Sequence, residues 1–342
     1  MLDDEFLKLS HGAGGTLMDE IIRKILMPNF SVRRALGGIG MDELDDGASL
    51  RMNECDIVTS MDGHTVSPIF FPGGDIGRLS VSGTTNDVAM MGARPVALLD
   101  SMIVEEGFSF ADLTRIAKSM EEVAREIGIA IIGGDFKVMP KGSLDRMIIA
   151  TCGIGLADKG GVVLDSGARP GDKVIVTGSI GDHGIALLAA RKEFHLNIEI
   201  QSDVAPIWKT VEVALSHGKV TAMKDPTRGG LASALNDIAS KSNASIWLNQ
   251  DQVPIKDSVR AASEMLGLDP YEITCEGRAI ICVSEKTAKD ALDAIRRTKY
   301  GREATIAGEV RAEHPGYVLL RTQVGGTRVI EKPIGEPIPR VC

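Results

Sequence analysis

Strand-like and helix-like segments alternate along this chain, stop at the stretch LADKGGVVLDSGARPGD (156–172), and then resume. Alternating periods require helices packed on sheets, and a Gly-, Asp- and Pro-rich interruption marks the passage from one layered unit to the next. At 342 residues the chain exceeds one ordinary core, which agrees with two domains. Before the break, TLMDEIIRKIL (16–26) carries Leu17, Ile21 and Ile25 at helical spacing, with Thr16 placed to cap and Asp19 three residues on. ECDIVTSMDG (54–63) reads as a strand ending at an acidic turn. DIGRLSVSGTTNDVAMMGA (75–93) reads as a helix of small residues despite its low propensity. In FADLTRIAKSMEEVAREIG (110–128), Leu113, Ile116, Met120, Val123 and Ile127 form one apolar stripe that Gly128 ends. IAIIGGD and RMIIATCGIG follow as strands. Beyond the break come the strand KVIVTG, the loop SIGDHG, the helices IALLAARKE, GGLASALNDIAS and KTAKDALDAIRRT, and the strand RAIICVS. The chain therefore reads as α/β (α+β), with domains over 1–157 and 158–326 and a tail over 327–342.

The charge balance narrows the partners. With 38 basic against 47 acidic residues the net charge is −9, which argues against nucleic acid and against anionic membranes. A nucleotide ligand would need cations between its phosphates and so acidic a protein. No run approaches the roughly 18 apolar residues of a membrane span. The acidic opening MLDDEFLKLS is unlike a signal peptide, and the five cysteines, at 55, 152, 275, 282 and 342, include no C-x-x-C pair. A reducing cytoplasm is the expected compartment.

Glycines cluster where strands or loops meet helices: Gly12, Gly14 and Gly15; Gly73 and Gly74; Gly133 and Gly134; Gly229 and Gly230. Amides exposed at such junctions can cradle phosphate, although plain turns use glycine as well. No G-K-S or G-K-T follows any of them, and HGAGGTL lacks the G-x-G-x-x-G spacing of a dinucleotide fold. Asp46, Asp62, Asp87, Asp135 and Asp225 recur in small-residue company. They are equally compatible with turn aspartates and with dispersed ligands for Mg²⁺ on a polyphosphate. His11 and His183 sit in glycine-rich turns, and Cys55, Cys152, Cys275 and Cys282 in apolar strand patterns that predict burial.

In combination, DDGA, TTNDVAMMGARP, GGDFK, PGDKVIVTGSIGDHG and KDPTRGGL resemble the superfamily of aminoimidazole ribonucleotide synthetase and selenophosphate synthetase. Within it, HGAGG, FFPGGDIGRLSVSGTTNDVAMMGA and a terminal PRVC resemble the HypE family of hydrogenase-maturation proteins. The resemblance implies an N-terminal sheet that pairs across a homodimer and a C-terminal domain flanking an ATP cleft. It implies ATP-dependent dehydration of a carbamoyl group on Cys342 to a thiocyanate, which supplies cyanide for the iron of a [NiFe]-hydrogenase. The partners it implies are the carbamoyltransferase HypF and the HypC–HypD iron scaffold. By similarity, Asp46, Asp62, Asp87 and Asp225 anchor Mg²⁺ and ATP, with Asp45 as a less favoured substitute for Asp46. Gly12, Gly14, Gly15, Asp135 and Arg228 are expected on the nucleotide side. Glu276 is assigned as general base and Lys137 as the cation beside phosphate or carbamoyl oxygen, the reverse assignment staying open. A small-molecule kinase of the superfamily, with Cys342 incidental, is the alternative.

The tail EKPIGEPIPRVC carries Pro333, Pro337 and Pro339, which exclude a regular helix. Extended at about 3.1 Å per residue, it could reach roughly 35 Å. That is enough to present Cys342 to a partner and return it to this protein.

Overall fold

The computed structural model describes residues 6–12, 14–191, 198–335, 338 and 341–342. Pro337, Pro339 and the end of the expected helix IALLAARKE lie outside these residues. The chain opens with α1 (Gly15–Ile21), a π-helical segment (Ile22–Leu26) and α2 (Met27–Asn29). The cap of α1 is Gly14, at φ +80°, rather than Thr16. The amides of Thr16 and Leu17 instead donate to the carbonyls of Pro333 and Ile334, at 3.2 and 3.3 Å. A tertiary contact has replaced the local cap.

Next come β1 (Ala48–Arg51), β2 (Cys55–His64), the short hairpin β3 (Phe70–Phe71) and β4 (Gly74–Asp75), and α3 (Ile76–Met90). They are followed by β5 (Arg94–Glu105), α4 (Phe110–Ile127), β6 (Ala130–Met139) and β7 (Met147–Asp158). The sheet order is β1-β2-β7-β5-β6, antiparallel except for the β5–β6 pair, so β6 is an edge. Asp62 lies within β2, not at a turn, and Gly133 and Gly134 lie inside β6 rather than at a helix start.

The second unit contains β8 (Lys173–Val176), α5 (Asp182–Ala190), α6 (Trp208–His217), β9 (Val220–Lys224), α7 (Gly230–Lys241) and β10 (Ser245–Asn249). It continues through α8 (Asp257–Leu266), β11 (Ile280–Val283), α9 (Glu285–Ile295), β12 (Thr305–Arg311), β13 (Val318–Arg321) and β14 (Thr327–Ile330). Its sheet runs β14-β13-β10-β12-β8-β11-β9. Residues 327–330, expected in the tail, thus complete this sheet by pairing with β13.

Helix α3 explains its own composition. It lies between the first sheet and the second unit, and nearly all of its residues are buried. Small residues allow that closeness, and most of its buried polar groups are bonded, Ser82 Oγ being an exception. Thr85 Oγ1 donates to the Val81 carbonyl at 2.6 Å. The Asn86 amide donates to the carbonyls of Ala205 and Glu276, at 3.0 and 3.3 Å, while its oxygen accepts from the Ile207 amide at 2.9 Å. Asn86 thereby fastens the two units beside Glu276. Helix α4 is amphipathic as expected, with Ile116, Met120 and Val123 buried and Gly128 ending it at φ +85°.

Candidate active site

Between the two units lies a cavity of about 440 Å³ whose lining includes Asp46, Asp62, Asp87, Asp225, Glu276 and Cys342. Each reaches it from a different element. Asp46 precedes β1, Asp62 is on β2, Asp87 is on α3, Asp225 follows β9, Glu276 precedes β11, and Cys342 ends the chain. Gly14, Gly15, Arg228 and Asp45 also line it. A Cβ at Gly15, itself at φ +71°, would run into the Pro333 carbonyl, so only glycine lets α1 and the tail approach this closely.

Three of the aspartates, Asp87, Asp62 and Asp46, are each anchored by a neighbouring side chain. Ser60 Oγ donates to Asp87 Oδ2 at 2.8 Å, and Thr84 Oγ1 to Asp62 Oδ2 at 2.7 Å. Asp46 pairs with Lys224, whose ammonium also lies 3.6 Å from Asp165. Burial, then the charges of Asp62, Asp225 and Asp46, pushes the Asp87 carboxyl well above the usual range. Burial and Asp46 push Asp225 up to about 8, and burial with Asp46 and Asp165 pushes Asp45 up to about 7. The Lys224 ammonium is kept charged against burial by Asp46 and Asp165. Such mutual repulsion in one enclosed space is relieved by a cation. Asp46 Oδ2, buried and without a hydrogen-bond partner, is one group that a cation would satisfy. Among the described residues no three His, Cys, Asp or Glu are gathered closely enough to hold a metal ion unaided.

Glu276 is 4% exposed, and its Oε1 has no hydrogen-bond partner. Its backbone is fixed by the bond from its amide to Asp203 Oδ1 at 3.1 Å. Burial, with Asp225 and Asp203 nearby, raises its pKa well above that of a free carboxyl, opposed by Arg228. Arg228 is held protonated first by charge at Cys342 and then, against burial, by Asp62 and Glu276. A strongly basic carboxylate and a guanidinium thus share the space with the terminal thiol. That set can neutralise developing negative charge and accept a proton.

Three expected residues stand elsewhere. Asp135 and Lys137 lie on the exposed edge strand β6, outside the lining of their own chain's cavity. Gly12 is also outside it, and its carbonyl accepts from Arg228 Nη1 at 3.2 Å. Cys275 and Cys282 are buried as expected, whereas Cys55 and Cys152, on the first sheet, are only partly so. Sequence reasoning passed over Lys224 and Lys332, and it noted His183 in a glycine-rich turn without giving it a role. Lys224 adjoins Asp225 in KDPTRGG and His183 stands in SIGDHG, so proximity to motif residues was the available signal.

The AIR synthase related protein, N-terminal domain, matches residues 44–157, and the AIR synthase related protein, C-terminal domain, matches 169–321. A hydrogenase expression/formation protein of Methanocaldococcus jannaschii is 48% identical over 97% of this chain and 98% of its own length. The carbamoyl dehydratase HypE of Rhizobium leguminosarum bv. viciae is 41% identical over 98% of this chain and 95% of its own. Among solved structures, a HypE–HypF complex superposes with a TM-score of 0.85 at 38% identity, covering 92% of this chain and 99% of that one. HypE in complex with ATP gives 0.81 at 39% identity, covering 98% and 100%.

Proposed function

Because this chain belongs to the HypE family of carbamoyl dehydratases, we infer that it dehydrates an S-carbamoyl group on its own Cys342 to a thiocyanate at the expense of ATP. The thiocyanate supplies cyanide for hydrogenase maturation. The observation that carries this reading is the terminal cysteine lining the same cavity as Glu276, Arg228 and the aspartates.

The chemistry follows from these groups. A carbamoyl oxygen cannot leave unaided, and transfer of the ATP γ-phosphoryl to it creates a leaving group. One nitrogen proton is released, and the product is a phosphorylated imidate and ADP. Removal of the second nitrogen proton with rupture of the C–O bond yields S–C≡N and phosphate. Glu276 would take that proton, its burial making it a stronger base than an exposed carboxylate. Arg228, which lines the same cavity as Cys342, would stabilise the oxygen that gathers charge. Asp46, Asp62, Asp87 and Asp225 would hold Mg²⁺ together with phosphate oxygens, and the ion would neutralise the polyphosphate. The cleft that would house this chemistry lies between the two units, divided near residue 158.

Lys137 and Asp135 enter through a second copy of the chain. The edge strand β6 exposes Ile132, Phe136 and Val138 beside Lys137, and an apolar open edge favours pairing with a like strand. In a homodimer joined there, Lys137 would act in the partner's cleft. HypF would load Cys342, and the HypC–HypD scaffold would accept the cyanide.

The reading is tested by supplying the carbamoyltransferase, carbamoyl phosphate and then Mg-ATP, with mass spectrometry of the C-terminal peptide. A carbamoyl adduct on Cys342 that loses one water only with ATP is expected. An unmodified Cys342, or an adduct that persists with ATP, overturns it.

A further inference from the structure

The last residues of the chain are held by a buried imidazole that the chemistry above does not use. His183 Nε2 lies 2.8 Å from the carbonyl oxygen of Val341, the residue before Cys342. A carbonyl only accepts, so Nε2 carries the proton. In the neutral ring Nδ1 is then an acceptor, and the Ser202 hydroxyl donates to it at 2.7 Å. Ser202 Oγ in turn accepts from the Val204 amide at 3.0 Å, which orients its hydroxyl. Phe71 meets the imidazole edge-on, with centroids 5.3 Å apart. The ring is fully buried, and burial, though opposed by Val341, lowers its pKa and favours the neutral form.

The neighbouring position builds the rest of the seat. A Cβ at Gly184 would lie 2.9 Å from Ile338 Cδ1 and 2.5 Å from Ile273 Cγ2, so glycine clears the socket that Ile338 occupies. Ile338 and Val341 are 1% and 2% exposed and belong to the same core cluster as Ile185 and Ile273. At the end of the chain, Thr65 Oγ1 donates to a terminal carboxylate oxygen of Cys342 at 3.3 Å.

We propose that His183 is a positioning residue for the dehydration: its Nε2–H fixes the peptide between Val341 and Cys342 and so sets the register of the carbamoyl group in the cavity. This rests on the dehydratase reading above. With that peptide plane fixed, the Cys342 φ and χ1 angles alone separate the latch from the sulfur. Apolar anchors bring the tail home, but they can slide. A directional bond to the last peptide cannot slide without breaking, so it defines the stopping point. Release for loading requires that this bond, the Thr65 contact and the burial of Ile338 and Val341 be given up.

The full-length His183→Asn and His183→Gln variants test the latch. Asn can place its amide where Nδ1 lies and keep Ser202, but it stops short of Val341; Gln reaches the Nε2 position. Alkylation of Cys342 by iodoacetamide is expected to be about tenfold faster in His183→Asn than in the parent, and close to parental in His183→Gln. Dehydration of the preloaded tail should fall by a similar factor in the Asn variant alone, while Mg-ATP affinity and loading by the transferase stay level. Equal alkylation rates in the two variants overturn the latch, as does a His183→Asn protein that dehydrates at the parental rate. If the parent's own adduct persists with ATP, the dehydratase reading falls, and the alkylation contrast still decides whether His183 holds the tail.

Discussion

The Lys332 ammonium stands 2.6 Å from Asp19 Oδ2, joining the root of the tail to the first helix. It also lies 2.7 Å from Asp237 Oδ1 on α7. A single cation therefore binds three segments at the rim of the cavity, all of them part of its lining. Replacing Lys332 by Ala should weaken this closure by about 1 kcal/mol. Protease sensitivity within residues 15–29 should rise, and Mg-ATP affinity should fall severalfold. Unchanged cleavage and affinity would show that the first helix is held without the ion pair.

Glu276→Gln keeps the shape of a buried carboxyl and removes its basicity. Dehydration should fall by about 10²-fold or more while loading of Cys342 continues. Since burial raises the Glu276 pKa, the rate in the parent should climb with pH beyond the range of ordinary carboxylates, and the Gln variant should lack that limb. Stability has the opposite sign. Between the unfolded and the raised folded pKa, the native state binds the extra proton, so raising pH through that window costs stability. The Gln variant should lose this cost, as seen in thermal midpoints measured across pH.

Asp87→Asn separates ligand binding from stability. Asn can still accept the Ser60 hydrogen bond but no longer repels Asp62 and Asp225. The nucleotide-free variant should melt at least as high as the parent, by roughly 2–4 °C if 1 kcal/mol is recovered. Mg-dependent ATP binding, measured by calorimetry, should weaken tenfold or more. A lower melting point with intact binding would show Asp87 to be a packing residue.

Complementation locates Lys137. Lys137→Ala and Glu276→Gln should each be inactive in dehydration. If Lys137 works in the partner's cleft, a mixed dimer contains one complete site, and mixing the two inactive proteins should restore part of the activity. A mixture as inactive as its components, despite subunit exchange, would place both groups in one chain.

Much of this protein could be read along the chain. The stripe of α4 and the small-residue run of α3 each report burial through local period, and both helices formed where expected. The Asp-rich motifs and the terminal cysteine could be singled out because their chemistry is legible wherever they lie. Thr16 was misread because its helix is capped by a carbonyl more than 300 positions away. Asp135 and Lys137 carry a convincing motif, yet β6 holds them at a sheet edge outside their own chain's cavity.

The sequence by itself determined the chemical inventory: alternating elements, scattered carboxylates, and a thiol on the last residue. Only the tertiary structure decided which of these meet. Lys224 reaches Asp46 across 178 positions, and His183 reaches Val341 across 158. Periodicity records whether a face is buried but not what buries it. Those encounters depend on how two layered units dock around α3, and on a tail that returns between them.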